Sequence, residues 1–188
     1  YWINKFDDKN IDQSSIKFEI EGISKTAQKH EIDIETIIFP RNIVNYNFLM
    51  RANFIKAFRD APDNPFKINF FKRAYSLIKE FSPITKSQQL NTVHKKIVIP
   101  GDFFINWRSG ARKLIPISLT VSRFRRAIKH AIKNDGIVHI WLHPHNLATG
   151  DNQFILLKKL LDEVKYFSSR GSLEVITQRD IVNLNKIS

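Results

Sequence analysis

Gly136-Ile137-Val138-His139-Ile140-Trp141-Leu142-His143-Pro144-His145-Asn146 is the stretch on which the fold turns. Residues 137–142 are β-branched, aliphatic or aromatic apart from one histidine, and Gly136 and Pro144 bound them, so they predict a strand. On an extended chain alternate side chains share a face. His139, Trp141 and His143 therefore point one way, while Ile140 and Leu142 enter the opposite layer. A helical period stands on either side. Residues 121–133 place Phe124, Ile128, Ala131 and Ile132 on an inward face. Residues 152–169 form a long helix, with Asp151 as its expected N-cap and Gly171 at a left-handed terminator. A strand between two helices is the unit of a parallel sheet with crossover helices.

The same alternation runs outward. Leu173-Glu174-Val175-Ile176 reads as a further strand, and Thr177 with Asp180 starts a short helix in capping-box fashion. Toward the N-terminus, Ile16, Ile20, Ile23 and Ala27 recur at helical spacing after Asp12. Thr36-Ile37-Ile38-Phe39 reads as a buried strand stopped by Pro40. A helix over 46–53, a strand over 55–58 and a helix over 66–81 ended by Pro83 follow. Residues 82–119 are the least regular, with a strand at Ile97-Val98-Ile99 and a loop around Gly101, Gly110 and Pro116. The expected class is α/β, an open sheet or part of a (β/α) barrel with parallel strands and crossover helices. At 188 residues and 43% hydrophobic, the chain has the size of one domain.

Composition narrows the chemistry. There is no cysteine, which excludes disulfides, zinc-thiolate sites and thiol nucleophiles. A metal would need His, Asp, Glu or water. No window approaches the roughly 18 apolar residues of a membrane span, and Tyr1-Trp2-Ile3-Asn4-Lys5 does not read as a signal peptide. The expectation is a soluble chain, with cytoplasm and cell envelope both open. A net charge of +12 favours anionic partners, yet the lysines and arginines are spread along the chain. Arg123, Arg126, His130 and Lys133 recur on one helical face, which ordinary solvated amphipathicity also explains. Nucleic acid is not the expected partner.

Three of the six histidines lie in the quoted stretch. His143 falls at the C-terminal end of its strand, where open α/β sheets and barrels build their sites. An imidazole there can act as general acid or base. His145 follows on a loop, His139 sits deeper as a structural residue, and Trp141 suits either the core or a sugar-facing wall. A second candidate is Phe39-Pro40-Arg41-Asn42, again after a strand. A guanidinium there can hold a carboxylate or oxyanion, and a plain turn with Asn42 in left-handed geometry is the alternative. Arg59-Asp60 repeats the placement one strand later.

Together these segments resemble the NodB-type polysaccharide deacetylases. Phe-Pro-Arg-Asn follows one strand, His-x-Trp-x-His-Pro-His-Asn follows a later one, and the closing helix with Arg170-Gly171 and 173–177 continues the likeness over most of 16–182. The resemblance implies an irregular (β/α) barrel that hydrolyses N-acetyl groups on a polysaccharide or glycoconjugate. It also implies a divalent metal, zinc foremost, held by one Asp and two His, with a second Asp as base and a late His as acid. His143 matches that late His, and Arg41 falls in the segment of the third motif. His145, Asn146, Trp141, Asn42 and Arg59 complete the set as substrate contacts. The family's Thr-Phe-Asp-Asp-Gly and His-x-x-x-His motifs have no counterpart before Ile16. Phe6-Asp7-Asp8 imitates the first in letters, but Lys9 replaces its glycine. The expectation is thus one deacetylase-like domain over 1–188 lacking its N-terminal strands and metal ligands, impaired as an enzyme, with His143 and Arg41 at one rim of a single sheet. The alternative is a non-catalytic glycan-binding or assembly module of the same fold.

Overall fold

The computed structural model describes residues 13–60 and 89–184. The expected helix over 66–81, its stop at Pro83 and the Phe6-Asp7-Asp8 imitation lie outside the described residues. The described chain divides into two compact units, one of residues 13–60, 91–99 and 176–184, the other of 89–90 and 100–175.

The first unit opens with α1 (Gln13–Lys29), whose Ile16 is buried while Ile20 and Ile23 pack against the same cluster. The strand expected at 36–39 is shorter than its apolar run, because Pro40 begins a 3-10 turn (Pro40–Asn42) and only β1 (Thr36–Ile37) joins a ladder. Asn45 then caps α2 (Tyr46–Arg51), accepting from the Phe48 N–H at 2.9 Å. The chain returns as β2 (Ala57–Asp60), parallel to β1 with Thr36 opposite Ala57 and Ile37 opposite Phe58. Next come β3 (Asn91–Val93) and β4 (Lys96–Pro100), giving the sheet order β1-β2-β4-β3. The expected strand at 97–99 is β4, but its pairing with β3 is antiparallel and corrects the all-parallel expectation. The cause is the two-residue turn His94-Lys95, both at positive φ (49° and 61°), as primed hairpin turns require. Phe58, Phe48, Leu49, Ile16 and Ile55 form the core, with Phe39 edge-on to Phe48 at 5.8 Å. Lys96 is buried there, its ammonium donating to the Ala52 and Ile55 carbonyls at 3.0 and 2.6 Å, the first of which also accepts from the Ile55 N–H. The unit closes with α6 (Gln178–Leu184).

The second unit pairs β5 (Phe103–Phe104) with β6 (Ile140–Trp141) in parallel. The crossover runs through a 3-10 turn (Gly110–Leu114) and α3 (Ile117–Asn134). After β6 come a single turn, α4 (Pro144–Leu147), and the long α5 (Asp151–Ser168). Phe124, Ala127, Ile128 and Ala131 line the inner face of α3, and Leu156, Leu160 and Phe167 that of α5. Ile132, expected inside, is exposed. Arg125 on α3 donates two hydrogen bonds to Glu163 on α5, at 2.7 and 2.6 Å. Gly171 takes the expected left-handed backbone (φ 67°). Three expectations are corrected. Only Ile140 and Trp141 of 137–142 form a continuous ladder, the N-cap of α5 is Gly150 (φ 135°) with Asp151 in its first turn, and residues 173–176 join no ladder. The molecule is a mixed α/β protein with parallel strand pairs and helices, and among the described residues its strands do not close into a barrel.

Candidate functional site

Alternation along the quoted strand sorts the second unit into two faces. Phe103, Ile105, Ile140 and Leu142 enter the cluster with Phe124, Ile128, Leu156 and Leu160. Asp102, Phe104, His139, Trp141 and His143 fall by the same alternation on the other face. The register sets Phe104 directly opposite Trp141, and their rings stack at 4.1 Å and 29°. His143 stands edge-on to both, 5.5 Å from each centroid at 74° and 89°. His145 lies parallel to His143 at 5.2 Å and 9°. The result is a shelf of four rings, half-buried at Phe104 and Trp141 and exposed at the two imidazoles.

What holds the shelf is local. His143 is the N-cap residue of α4, extended at φ −94°, and Pro144 starts the helical turn at once. That turn carries Asn146 beneath the histidines, where it is 1% exposed. Its amide donates to the Ile105 carbonyl at 3.1 Å, and its backbone N–H to the His143 carbonyl at 2.8 Å. Ile105 donates its own N–H to the Trp141 carbonyl, so the Asn146 side chain continues the β5 edge where the β6 ladder stops. Gln153, fully buried in the first turn of α5, donates to the next carbonyl, that of Asn106, at 2.7 Å. Two amides thus fix the chain leaving β5.

At the other end of the shelf the His139 N–H donates to Asp102 Oδ1 at 3.0 Å. His139 Nδ1 lies 3.0 Å from the Pro100 carbonyl oxygen, which can only accept, so Nδ1 carries a proton and donates it there. Burial pushes the Asp102 carboxyl up to about 6, opposed by backbone N–H groups of His139, Asp102 and Phe103 that favour the charged form. Asp102 and Phe104 were not among the residues singled out from sequence. Their signal is the short alternation Asp102-Phe103-Phe104-Ile105, which Pro100 and Gly101 disguise as a loop.

In the first unit, Asn42 and Arg59 come together. Asn42 adopts the left-handed backbone (φ 55°) at the end of the 3-10 turn, and its Oδ1 accepts from Arg59 Nε at 3.2 Å and Nη2 at 2.6 Å. Arg59, on β2, is 6% exposed, and burial lowers its affinity for its proton. Arg41 occupies the middle of that turn, after β1. Of the sequence candidates, then, Trp141, His143, His145 and Asn146 assemble in the second unit, and Asn42, Arg59 and the Arg41 backbone belong to the first; β1 and β6 lie in different sheets, which corrects the expectation of His143 and Arg41 at one rim of a single sheet.

Among the described residues no three His, Asp or Glu side chains gather as a metal centre requires. His143 and His145 lie face to face instead of converging on a point. The resemblance gives its Asp-His-His set to other motifs, so this geometry bears only on a metal held by these two imidazoles. No described helix is long and apolar enough to cross a membrane. Comparison with family models, with curated proteins and with solved structures finds no significant match to this chain.

Proposed function

We propose that the chain is a polysaccharide-deacetylase-type module whose ring shelf receives an N-acetylated sugar, and that His143 is the proton donor of its amide hydrolysis. The observation that carries this is the stacked Phe104–Trp141 pair with His143 edge-on at the C-terminal end of a parallel strand. Sugar rings present C–H faces that lie against aromatic rings, while their hydroxyls and acetamido groups need polar partners at the edge. His143 offers one at that edge. In the reaction, water adds its oxygen to the acetyl carbon, the C–N bond breaks, and the imidazolium of His143 gives its proton to the leaving amine nitrogen; of the two protons the water gives up, one restores the imidazolium and one passes to solvent, leaving acetate and a free amino sugar. Attack by water is attributed to none of the described residues. The part of Arg41 rests on the resemblance alone, as does the finer expectation of an irregular (β/α) barrel.

A second reading, a glycan-binding module without turnover, is favoured by the way the shelf is built. Its aromatic pair follows from strand register alone and needs no catalytic group. One experiment separates the two: acetate release from N-acetylglucosamine oligomers with and without added Zn²⁺, alongside binding of the same oligomers. Turnover that falls by about a hundredfold or more in His143→Ala supports hydrolysis, that being the usual contribution of a general acid. Binding that survives chelator and His143→Ala but is lost in Trp141→Ala supports the module. Neither turnover nor binding ends both readings.

A further inference from the structure

The ring shelf leaves unexplained the segment that joins its first two rings. Between Phe103 and Asn134 the chain carries eight lysines and arginines and not one aspartate or glutamate. Three of the cations lie at 108, 112 and 113 and five along α3. Of the five, Arg125 is held by Glu163 and Arg123 lies 5.9 Å from the centre of the Phe103 ring. Lys113, Arg126, Lys129 and Lys133 have exposed side chains.

The loop before α3 presents apolar tips among these charges. Gly110 reverses the chain with a left-handed backbone (φ 56°), which other residues adopt at a cost. The 3-10 turn that follows brings the Arg112 guanidinium to 5.1 Å from the centre of the Trp107 ring, a cation–π distance. Arg108 donates through its guanidinium to the Ile115 carbonyl, and the Ile115 N–H donates to the Arg112 carbonyl at 3.2 Å. These bonds close the loop on itself, and Leu114 is left outermost. Leu114 is 78% exposed and Trp107 40%, while Ile115 between loop and helix is buried.

An isolated exposed leucine needs no explanation. A leucine and a tryptophan on one braced loop, flanked by cations with no acid within the segment, are a different case. Tryptophan settles at the lipid headgroup level, an aliphatic tip gains by leaving water, and lysine and arginine meet lipid phosphates. A nucleic acid or an acidic glycan would satisfy the cations but would offer nothing to Leu114. We propose that the 107–114 loop, which leads directly into the basic helix α3, docks peripherally on an anionic lipid bilayer. This is independent of the deacetylase reading, since none of these side chains belongs to the ring shelf.

The test is co-sedimentation of the full chain with vesicles of phosphatidylcholine alone or mixed with phosphatidylglycerol. Binding should require phosphatidylglycerol, weaken as salt is raised, and fall severalfold in Leu114→Ser. Lys113→Glu should lower it roughly fivefold or more, the scale of one cation near an anionic surface. Trp107 emission should shift to the blue on vesicle addition, read as the difference between the natural chain and Trp107→Phe. That signal reports insertion even if a variant binds poorly for other reasons. No binding to the mixed vesicles overturns the proposal. So does binding that Leu114→Ser leaves unchanged with no Trp107 shift, or that soluble DNA or an acidic polysaccharide abolishes at equal charge, which would identify a polyanion as the partner.

Discussion

Asp102 shows how one side chain couples the shelf to pH. Its folded carboxyl titrates at about 6 against an ordinary value of 3.8, with burial as the main cause. The folded state therefore holds this proton more tightly than the unfolded chain, and the associated stability is fully present below about pH 4. It is lost as pH rises through 6 and is level above that, a change on the order of 2–3 kcal/mol. Asp102→Asn keeps an oxygen to accept from the His139 N–H but cannot titrate. Urea unfolding between pH 4 and 7 should show the natural chain losing stability relative to the variant over this window. Parallel curves would mean that the carboxyl is solvated. At this scale the sequence offered His143, Trp141 and His145 through their spacing. It hid Asp102, because nothing in one strand says which residues its neighbour will set beside it.

Helices were legible as elements, and their ends were less so. Thr177 and Asp180 form the reciprocal box that their spacing predicts: the Thr177 N–H donates to Asp180 Oδ2 at 2.7 Å, and the Asp180 N–H to Thr177 Oγ1 at 3.3 Å. The hydroxyl of Thr177 holds the Asp180 carboxyl below its usual range, so that this support is lost as pH falls. Thr177→Ala should lower unfolding free energy by about 1 kcal/mol, and Thr177→Ser should restore it. Equal stability of all three chains in urea would show that α6 is held by packing alone. By contrast, α5 is capped by Gly150 and not by Asp151. Both residues suit a helix start, and only backbone geometry chooses. The antiparallel β3–β4 hairpin is not legible in the sequence because His94-Lys95 lacks the glycine or asparagine that normally announces two positive φ angles.

For the whole molecule, the buried apolar side chains among the described residues form two clusters, and a neighbouring pair on α5 tests one of them. Leu160 is fully buried and Leu161 is half exposed to solvent. Leu160→Ala should cost 2–5 kcal/mol, roughly the range for a core cavity, while Leu161→Ala should stay within about 0.5 kcal/mol. Similar losses in thermal or urea unfolding would show that the inner face of α5 has been misassigned. The sequence by itself determined helices α1, α2, α3, α5 and α6, the inward stripe of α3 apart from Ile132, and the sharing of one strand face by His139, Trp141 and His143. These follow from periods of 3.6 and 2 residues that the local chain carries within itself. Tertiary structure alone decided that Phe104 stacks on Trp141, that Asn146 is buried as a pin, and that Arg59 donates to Asn42. Each joins residues 17 to 41 positions apart. Such pairings depend on strand register and crossover length, which no single segment encodes.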